Sequence, residues 1–551
     1  MKSINKRQIF FAFSLIATMQ VSAQDTYLNA SAITTNLNGT ARYVGMGGAM
    51  EALGADLSTI GSNPAGIGLF RSSKANVSFG FVSQEEGKSF GGAQKTTMSF
   101  DQAGFVYSMR TDKRSFVNFA FNYNRSANFD YILSAASTLN HASQNKHIYQ
   151  KARKGYYQLD TNNQGNILGY EGSSSNVSNR FNAVDYVYIN AFNATKTSDG
   201  YTLGYNDATG YNFDRAHTGY IGEYNFNVSG NSGDRFYWGL TVGIYDVHYN
   251  AYSQYTEQLV NVESAPVGSV TMVDDRKITG TGFDIKAGFI FRPVEESPFR
   301  IGLSVATPTW YDLTSSYDTK LFNNTDGLGM YDTGRHNSSY NFRLYTPWKF
   351  GVSAGTTVAN MLAIGASYEY ADYKSMDTRI KEDGNFDYDG VIYSNSYGDQ
   401  VMNSATKRIL RGVSTFKVGA ELRPDPSFAV RLGYNYVSPM YDKNAERPVD
   451  VNSLSNAFTS TTDYTNWEAT NRITAGFGYT VDKFTIDLAY QYSAQNGTFH
   501  PFVNSEISYT NTSTTDNGQT KYENVTETNY ADGVKVKNNR HQLILTLGYK
   551  F

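Results

Sequence analysis

The last eleven residues, His541-Gln-Leu-Ile-Leu-Thr-Leu-Gly-Tyr-Lys-Phe551, put Leu543, Leu545, Leu547, Tyr549 and Phe551 on one face and Gln542, Thr546, Gly548 and Lys550 on the other. Strict alternation is the signature of a β-strand with unlike faces. When the apolar face ends in aromatic residues, the pattern suits a sheet with lipid on one side and a polar interior on the other. In hydrocarbon every backbone N–H and C=O must be paired internally, and a sheet achieves that only by closing on itself. A chain built from such strands is therefore confined to a barrel.

The same period-two pattern predicts fourteen strands, near 75–82, 99–110, 115–131, 218–229, 234–255, 277–292, 298–313, 346–356, 361–375, 410–424, 427–438, 470–481, 484–497 and 539–551. Their connections alternate between six short ones, such as Thr111-Asp-Lys-Arg114 and Asp482-Lys483, and seven long ones rich in Asn, Ser, Thr, Asp, Gly and Tyr, the largest near 132–217. Short periplasmic turns, long outer loops and an even strand number are the habit of outer-membrane barrels. "FVNFAFNYN", with Val117, Phe119, Phe121 and Tyr123 in phase, supplies a lipid face, and Trp238, Trp310, Trp348 and Tyr549 are candidates for interfacial aromatic girdles. A secreted β-solenoid would show a fixed repeat period, which is absent. The terminal Tyr549 and Phe551 resemble the C-terminal signal read by the barrel assembly machinery of bacterial outer membranes.

Both ends of the chain agree with that placement. Met1 to Arg7 is basic, Ile9 to Thr18 is apolar, and Val21-Ser22-Ala23 precedes Gln24. Residues 1–23 therefore read as a secretory signal peptide cleaved between Ala23 and Gln24. The apolar run is shorter than the roughly 20 residues a membrane helix needs. Abundant Tyr (43) and Phe (34), frequent Gly (49) and sparse Pro (11) fit a transmembrane barrel, and the alternation explains why the mean hydropathy is negative. With no cysteine there is no lipobox, disulfide framework, thiolate metal site or cysteine nucleophile. The net charge of −3 leaves no nucleic-acid footprint.

Motifs that suggest chemistry have simpler explanations. Gly351 to Gly355, "GVSAG", matches G-x-S-x-G but lies inside a strand with no helix after it, so the turn that exposes a nucleophilic serine is missing. Asn385 to Gly390, "NFDYDG", begins like a calcium loop, but its twelfth position is Ser396 instead of glutamate, and a solvated acidic loop is the better reading. Seven histidines are scattered singly, with no zinc spacing. No enzyme, metal or cofactor is expected.

Residues 24–73 precede the first strand and form a compact hatch: Asp56 caps Leu57 to Gly61, and Asn63 caps a turn opened by Pro64. Asp56-Leu-Ser-Thr59 followed by Asn63-Pro64-Ala65-Gly66 resembles the D-x-S-T and N-P-A-G signature of the FadL/TodX family of outer-membrane transporters for hydrophobic compounds. Hairpins such as "GTGFDIKAGFIFRP", "FRIGLSVATPTWY" and "FKVGAELRPDPSFAVRLGYNY" extend the resemblance over nearly the whole mature chain. The resemblance implies an all-β, 14-stranded antiparallel transmembrane barrel (74–551) with a helical hatch in its lumen, in the outer membrane and in contact with its lipid. It also implies passive uptake of a hydrophobic small molecule, fatty-acid-like or aromatic, captured among outer loops and released sideways near a kinked third strand. On that basis Asn63, Pro64, Ala65, Gly66 and Asp56 are the gating positions, and Arg125-Ser126-Ala127-Asn128, which interrupts the third strand's alternation, is the candidate kink; a simple strand end is the other reading of that segment. Bacteroidetes-type relatives are often labelled haemin receptors, so a haem receptor is one alternative. A non-transport, adhesin-like barrel is the other. The long loops show no clear match to the family.

Overall fold

The structure, a computed structural model, describes residues 26–197, 200–325, 331–381, 395–448, 451–514 and 520–551. The signal peptide with Ala23 and Gln24, and the calcium-like stretch 385–390, lie outside the described residues.

Fourteen antiparallel strands make the wall. They are β1 (Lys74–Gln84), β2 (Thr96–Asp112), β3 (Ser115–Asn128, resuming as Tyr131–Ala142), β4 (Asp207–Ser232), β5 (Phe236–Val260), β6 (Pro266–Phe291) and β7 (Arg300–Ala306, resuming as Trp310–Thr325). The second half comprises β8 (Tyr331–Tyr345, resuming as Lys349–Val358), β9 (Leu362–Asp372), β10 (Gly412–Asp425), β11 (Phe428–Val437), β12 (Tyr464–Val481), β13 (Phe484–His500) and β14 (Arg540–Lys550). β14 pairs with β1 from Lys550↔Lys74 to Arg540↔Gln84, which closes the barrel. The Phe551 N–H donates to the Ser73 carbonyl at 3.0 Å, so both ends of the wall meet at the short-turn, periplasmic end.

The alternation reads outward to apolar and inward to polar. Along β5, Phe236, Trp238, Leu240, Val242 and Ile244 are exposed, while Thr241 is buried. On β14, Leu543, Leu545 and Leu547 face out and Thr546 faces in. Ser78, Gln102, Asn118, Asn122, Asn225 and Asn227 form a polar inner wall cross-linked by side-chain hydrogen bonds, for example Gln102 to Asn122 at 2.6 Å. An exposed apolar girdle around a closed, polar-lined barrel is an outer-membrane protein's solution to the backbone problem. Among the described residues no helix is long and apolar enough to cross a membrane.

Several boundaries differ from the sequence expectation: the long connections expected after 255 and after 313 are largely strand, and the strand expected from 470 begins at Tyr464. The strand expected over 298–313 breaks at 307–309, where Pro308 cannot donate a ladder hydrogen bond. The long connection expected over 132–217 contains strand at both ends, the resumption of β3 and the outer half of β4. Above the membrane a strand needs no lipid-facing apolar residues, so the outer extensions keep only an inward row such as Tyr211, Phe213, Tyr249 and Tyr255. They carry an outer cap built from α-helices Gln144–Arg153 and Ala183–Tyr188, short hairpins, and the hairpin Ser505–Thr514 with Thr520–Asn529. Its core gathers Ile148, Tyr157, Phe181, Val184, Tyr188 and Phe502, and a buried Lys151–Asp185 pair at 2.6 Å ties the two helices together.

Candidate functional site

Residues 26–73 lie inside the barrel. Thr40 caps the helix Ala41–Gly45, its hydroxyl also donating to both Asp56 carboxylate oxygens (2.8 and 2.9 Å), and Asp56 in turn accepts from the Ser58 N–H at 2.9 Å. Asn63 accepts from the Ala65 N–H at 3.1 Å and Pro64 opens a 3-10 turn that runs to Leu69. The hatch reaches the wall wherever the wall offers no side chain. A Cβ on Gly365 would strike the Ala49 carbonyl, one on Gly419 the Met46 carbonyl, and one on Gly239 the backbone of Pro64 and Ala65. Charge fastens it too: the Arg42 guanidinium grips Glu421 with bonds of 2.9 and 3.0 Å, Arg431 holds the same carboxylate at 2.6 Å, and Lys417 pairs with Glu51 at 2.7 Å.

Above the hatch lies a cavity of about 300 Å3. Its floor is the helix Thr26–Ala32 and the irregular segment after it, with Tyr27 stacked on Tyr441 at 5.1 Å. Its sides mix aromatic rings, Tyr131, Tyr249, Tyr464 and Trp467 among them, with arginines.

On one side the cavity is lined by Arg125, Asn128 and Phe129, which lie where the pairing of β3 with β2 has ended. From Asp112↔Ser115 to Gln102↔Asn124 the two strands are paired, and there the ladder stops, although β2 continues to Thr96 and β3 to Asn128. On its other side β3 shifts register against β4 between Arg125 and Ala127, so Ser126 is an extra residue that bends the strand away. The open rims are laced by the hatch. Asn38 donates to the Asp101 carboxylate (3.0 Å) on β2 and to the Arg125 carbonyl (2.9 Å) on β3, and accepts from Gln542 on β14. The Asn36 N–H donates to the Ser126 carbonyl at 2.7 Å, and its side-chain oxygen accepts from the Asn128 N–H at 2.8 Å.

The structure thus brings Arg125 and Asn128 to the cavity, and all four of Arg125, Ser126, Ala127 and Asn128 to a seam. Asn63, Pro64, Ala65 and Gly66 stand elsewhere, against β4, β5 and β6 near the periplasmic end, where Ala65 packs with Tyr237 and Ile290. The hatch residues at the interruption are Asn36 and Asn38, which sequence reasoning passed over. Their signal was the polar run Thr34-Thr-Asn-Leu-Asn38 immediately after a helix. Tyr549 and Phe551 pack edge to face on the outer surface at the periplasmic rim.

The remaining candidates are local. Ser353 of the G-x-S-x-G match sits in mid-strand opposite Gly302 and Ser367. Of the seven histidines, His217 alone lines the cavity, and its Nδ1 is 2.9 Å from the Tyr249 hydroxyl. Among the described residues no three His, Cys, Asp or Glu side chains gather as a metal site would require. In the cap, above the membrane, Glu257 accepts from the Gln144 N–H (2.6 Å) and the Tyr255 hydroxyl (2.7 Å) while its other oxygen is buried without a partner. Burial pushes its pKa up to about 7 against the pull of those donors, and burial pushes His147 down to about 3.

No protein-family model and no curated protein matches the sequence. Solved structures do. The chain is similar to the Ralstonia pickettii toluene transporter TbuX (13% identity, 94% of this chain and 99% of that one, TM-score 0.45). It is similar to a Pseudomonas aeruginosa FadL homologue (13%, 94% and 99%, TM-score 0.46) and to the P. putida toluene transporter TodX (10%, 94% and 99%, TM-score 0.43).

Proposed function

We propose that this outer-membrane barrel takes up hydrophobic small molecules passively, holding them in the cavity above the hatch and releasing them sideways through the β2–β3 seam. The observation that carries this reading is the juxtaposition of cavity and seam. The ladder between β2 and β3 ends beside Arg125, Asn128 and Phe129, which line the cavity, while the hatch occupies the periplasmic half of the lumen. Straight passage would expel an apolar solute into periplasmic water. At about 25 cal/mol per Å2 of apolar surface, keeping a long acyl chain out of water is worth several kcal/mol, so the lateral route follows the lower free energy. The lacing by Asn36 and Asn38 is the gate in this reading: a few side-chain hydrogen bonds, each worth about 1 kcal/mol net, stand where a continuous ladder would otherwise seal the wall. Asn63 to Gly66 and Asp56 serve it indirectly, by holding the hatch in shape.

Deleting Ser126 removes the extra residue and puts β3 in continuous register with β4, so that its end no longer bends away from β2. Cells relying on this protein for uptake of a radiolabelled long-chain fatty acid are expected to lose it, while the barrel still reaches the membrane and shows its heat-modifiable mobility. Unchanged uptake in a folded deletion variant would end the lateral-release reading.

A further inference from the structure

Six arginines line the cavity, and their partners differ. Arg215 is neutralised by a two-pronged bond to Asp463 (2.7 Å each), Arg276 lies 3.9 Å from Asp274, and Arg125 lies 3.6 Å from Asp130. Arg447 donates to the Asp463 carbonyl. Arg472 and Arg540 stand apart. Among the described residues neither makes an ion pair: Arg472 donates to the Asn435 amide oxygen at 2.8 Å, and Arg540 donates to Asn538 (2.8 Å) and to the Asn128 carbonyl (3.0 Å).

The sheet register puts these two side by side. Arg472 on β12 is opposite Ser493 on β13, and Ser493 is opposite Arg540 on β14, so all three fall in one row across adjacent strands. Residues in one row share a face, and two strand spacings separate the arginine Cα atoms by about 10 Å. All three side chains line the same cavity, with Gln491, Gln495 and Gln542 around them and the Trp467 and Tyr131 rings beside them. Two positive charges are thus held in the cavity with amides, a hydroxyl and a carbonyl around them; Asp130, which lies by Arg125, acts on Arg540 only from beyond ion-pair distance, and most of the two planar donor forks remain unused. A single carboxylate would neutralise one of them. A phosphate monoester, carrying close to two negative charges above its second pKa near 6 and three acceptor oxygens, matches both.

Resting on the transport reading above, we propose that the cavity selects an amphiphile with a dianionic, phosphate-type headgroup, bound between Arg472 and Arg540 over Ser493, with its apolar tail along the Tyr27, Tyr441 and Tyr464 rings. The tail then lies on the cavity floor that leads towards the seam.

The test is calorimetric titration of the purified full-length protein in maltoside micelles at pH 8 with dodecyl phosphate, dodecanoate, dodecanol and inorganic phosphate. Dodecyl phosphate is expected to bind at least tenfold more tightly than the other three. In Arg472→Gln/Arg540→Gln that advantage is expected to fall below threefold, and Arg472→Lys/Arg540→Lys to keep part of it, because charge survives and the fork does not. Heat-modifiable mobility checks each variant's fold. On the unaltered protein, lowering the pH to 5 leaves the phosphate one charge and is expected to weaken dodecyl phosphate at least threefold. Equal binding of dodecyl phosphate and dodecanoate would overturn the headgroup assignment and leave uptake of apolar solutes standing. Inorganic phosphate binding as tightly as its dodecyl ester would overturn the amphiphile. Binding of none of the dodecyl probes would overturn this proposal and the transport reading together.

Discussion

At the scale of single residues, the hatch is held by close backbone approach and by paired charge. Glu421 is 3% exposed on its side chain and receives Arg42, Arg431 and Arg423. Replacing it by glutamine leaves Arg42 without its carboxylate, while Arg431 keeps Asp487 at 2.6 Å, and losing a hydrogen bond to a charged group costs about 1.5–3 kcal/mol. Glu421→Gln is expected to leave the barrel intact and expose residues 41–69 to protease, read as new cleavage in that segment. The wall glycines make a complementary prediction. Gly365→Ala with Gly419→Ala pushes the hatch backbone off the wall, with an overpacking cost of about 1–3 kcal/mol at each position. Ion conductance in planar bilayers is expected to rise well above that of the unaltered protein, and an unchanged trace would show that these contacts do not seal the lumen.

At the scale of elements, the seam and the cap carry the predictions. Asn38→Ala removes bonds to Asp101, Arg125 and Gln542 and so loosens the lacing. With about 1 kcal/mol lost from the closed state, uptake at low solute concentration is expected to rise about fivefold; a fall would contradict the gating role. The cap should respond to pH through Glu257. Its pKa is raised on folding, so the folded cap favours the protonated form: that stability is fully present below the ordinary carboxylate pKa near 4.5 and is lost as pH rises through about 7. Glu257→Gln is therefore expected to match the unaltered cap near pH 4 and to resist proteolysis better at pH 8. His147, pushed down to about 3, works in the opposite sense, its contribution fading as pH falls below 6.5. Because both proteins share His147, the comparison isolates Glu257. The lipid-facing strands were legible because Phe236 to Ile244 or Leu543 to Leu547 must alternate in hydrocarbon. The outer extensions were not, because in water Tyr211 and Tyr255 need only one inward row. The arginine row was invisible for a different reason: Arg472 and Arg540 are far apart in sequence, and only strand register aligns them on Ser493.

At the scale of the whole molecule, a closed barrel with a hatch in its lumen has the unpaired rims of β2 and β3 beside a cavity, and the proposed transport rests on that combination. The signature Asn63-Pro64-Ala65-Gly66 lies in the hatch against β4, β5 and β6, while the gate proposed above is Asn36 and Asn38, which bond to β3 where it bends. The most direct test draws the rims together reversibly. Beyond the end of the β2–β3 ladder the Thr97 hydroxyl on β2 donates to the Asp130 carboxylate at 2.9 Å, so cysteines at these two positions form a bridge only when the rims close to disulfide distance. In Thr97→Cys/Asp130→Cys, uptake of a labelled long-chain fatty acid is expected to stop on oxidation and return on reduction in the same sample. Uptake that continues with the bridge fully formed would contradict lateral release.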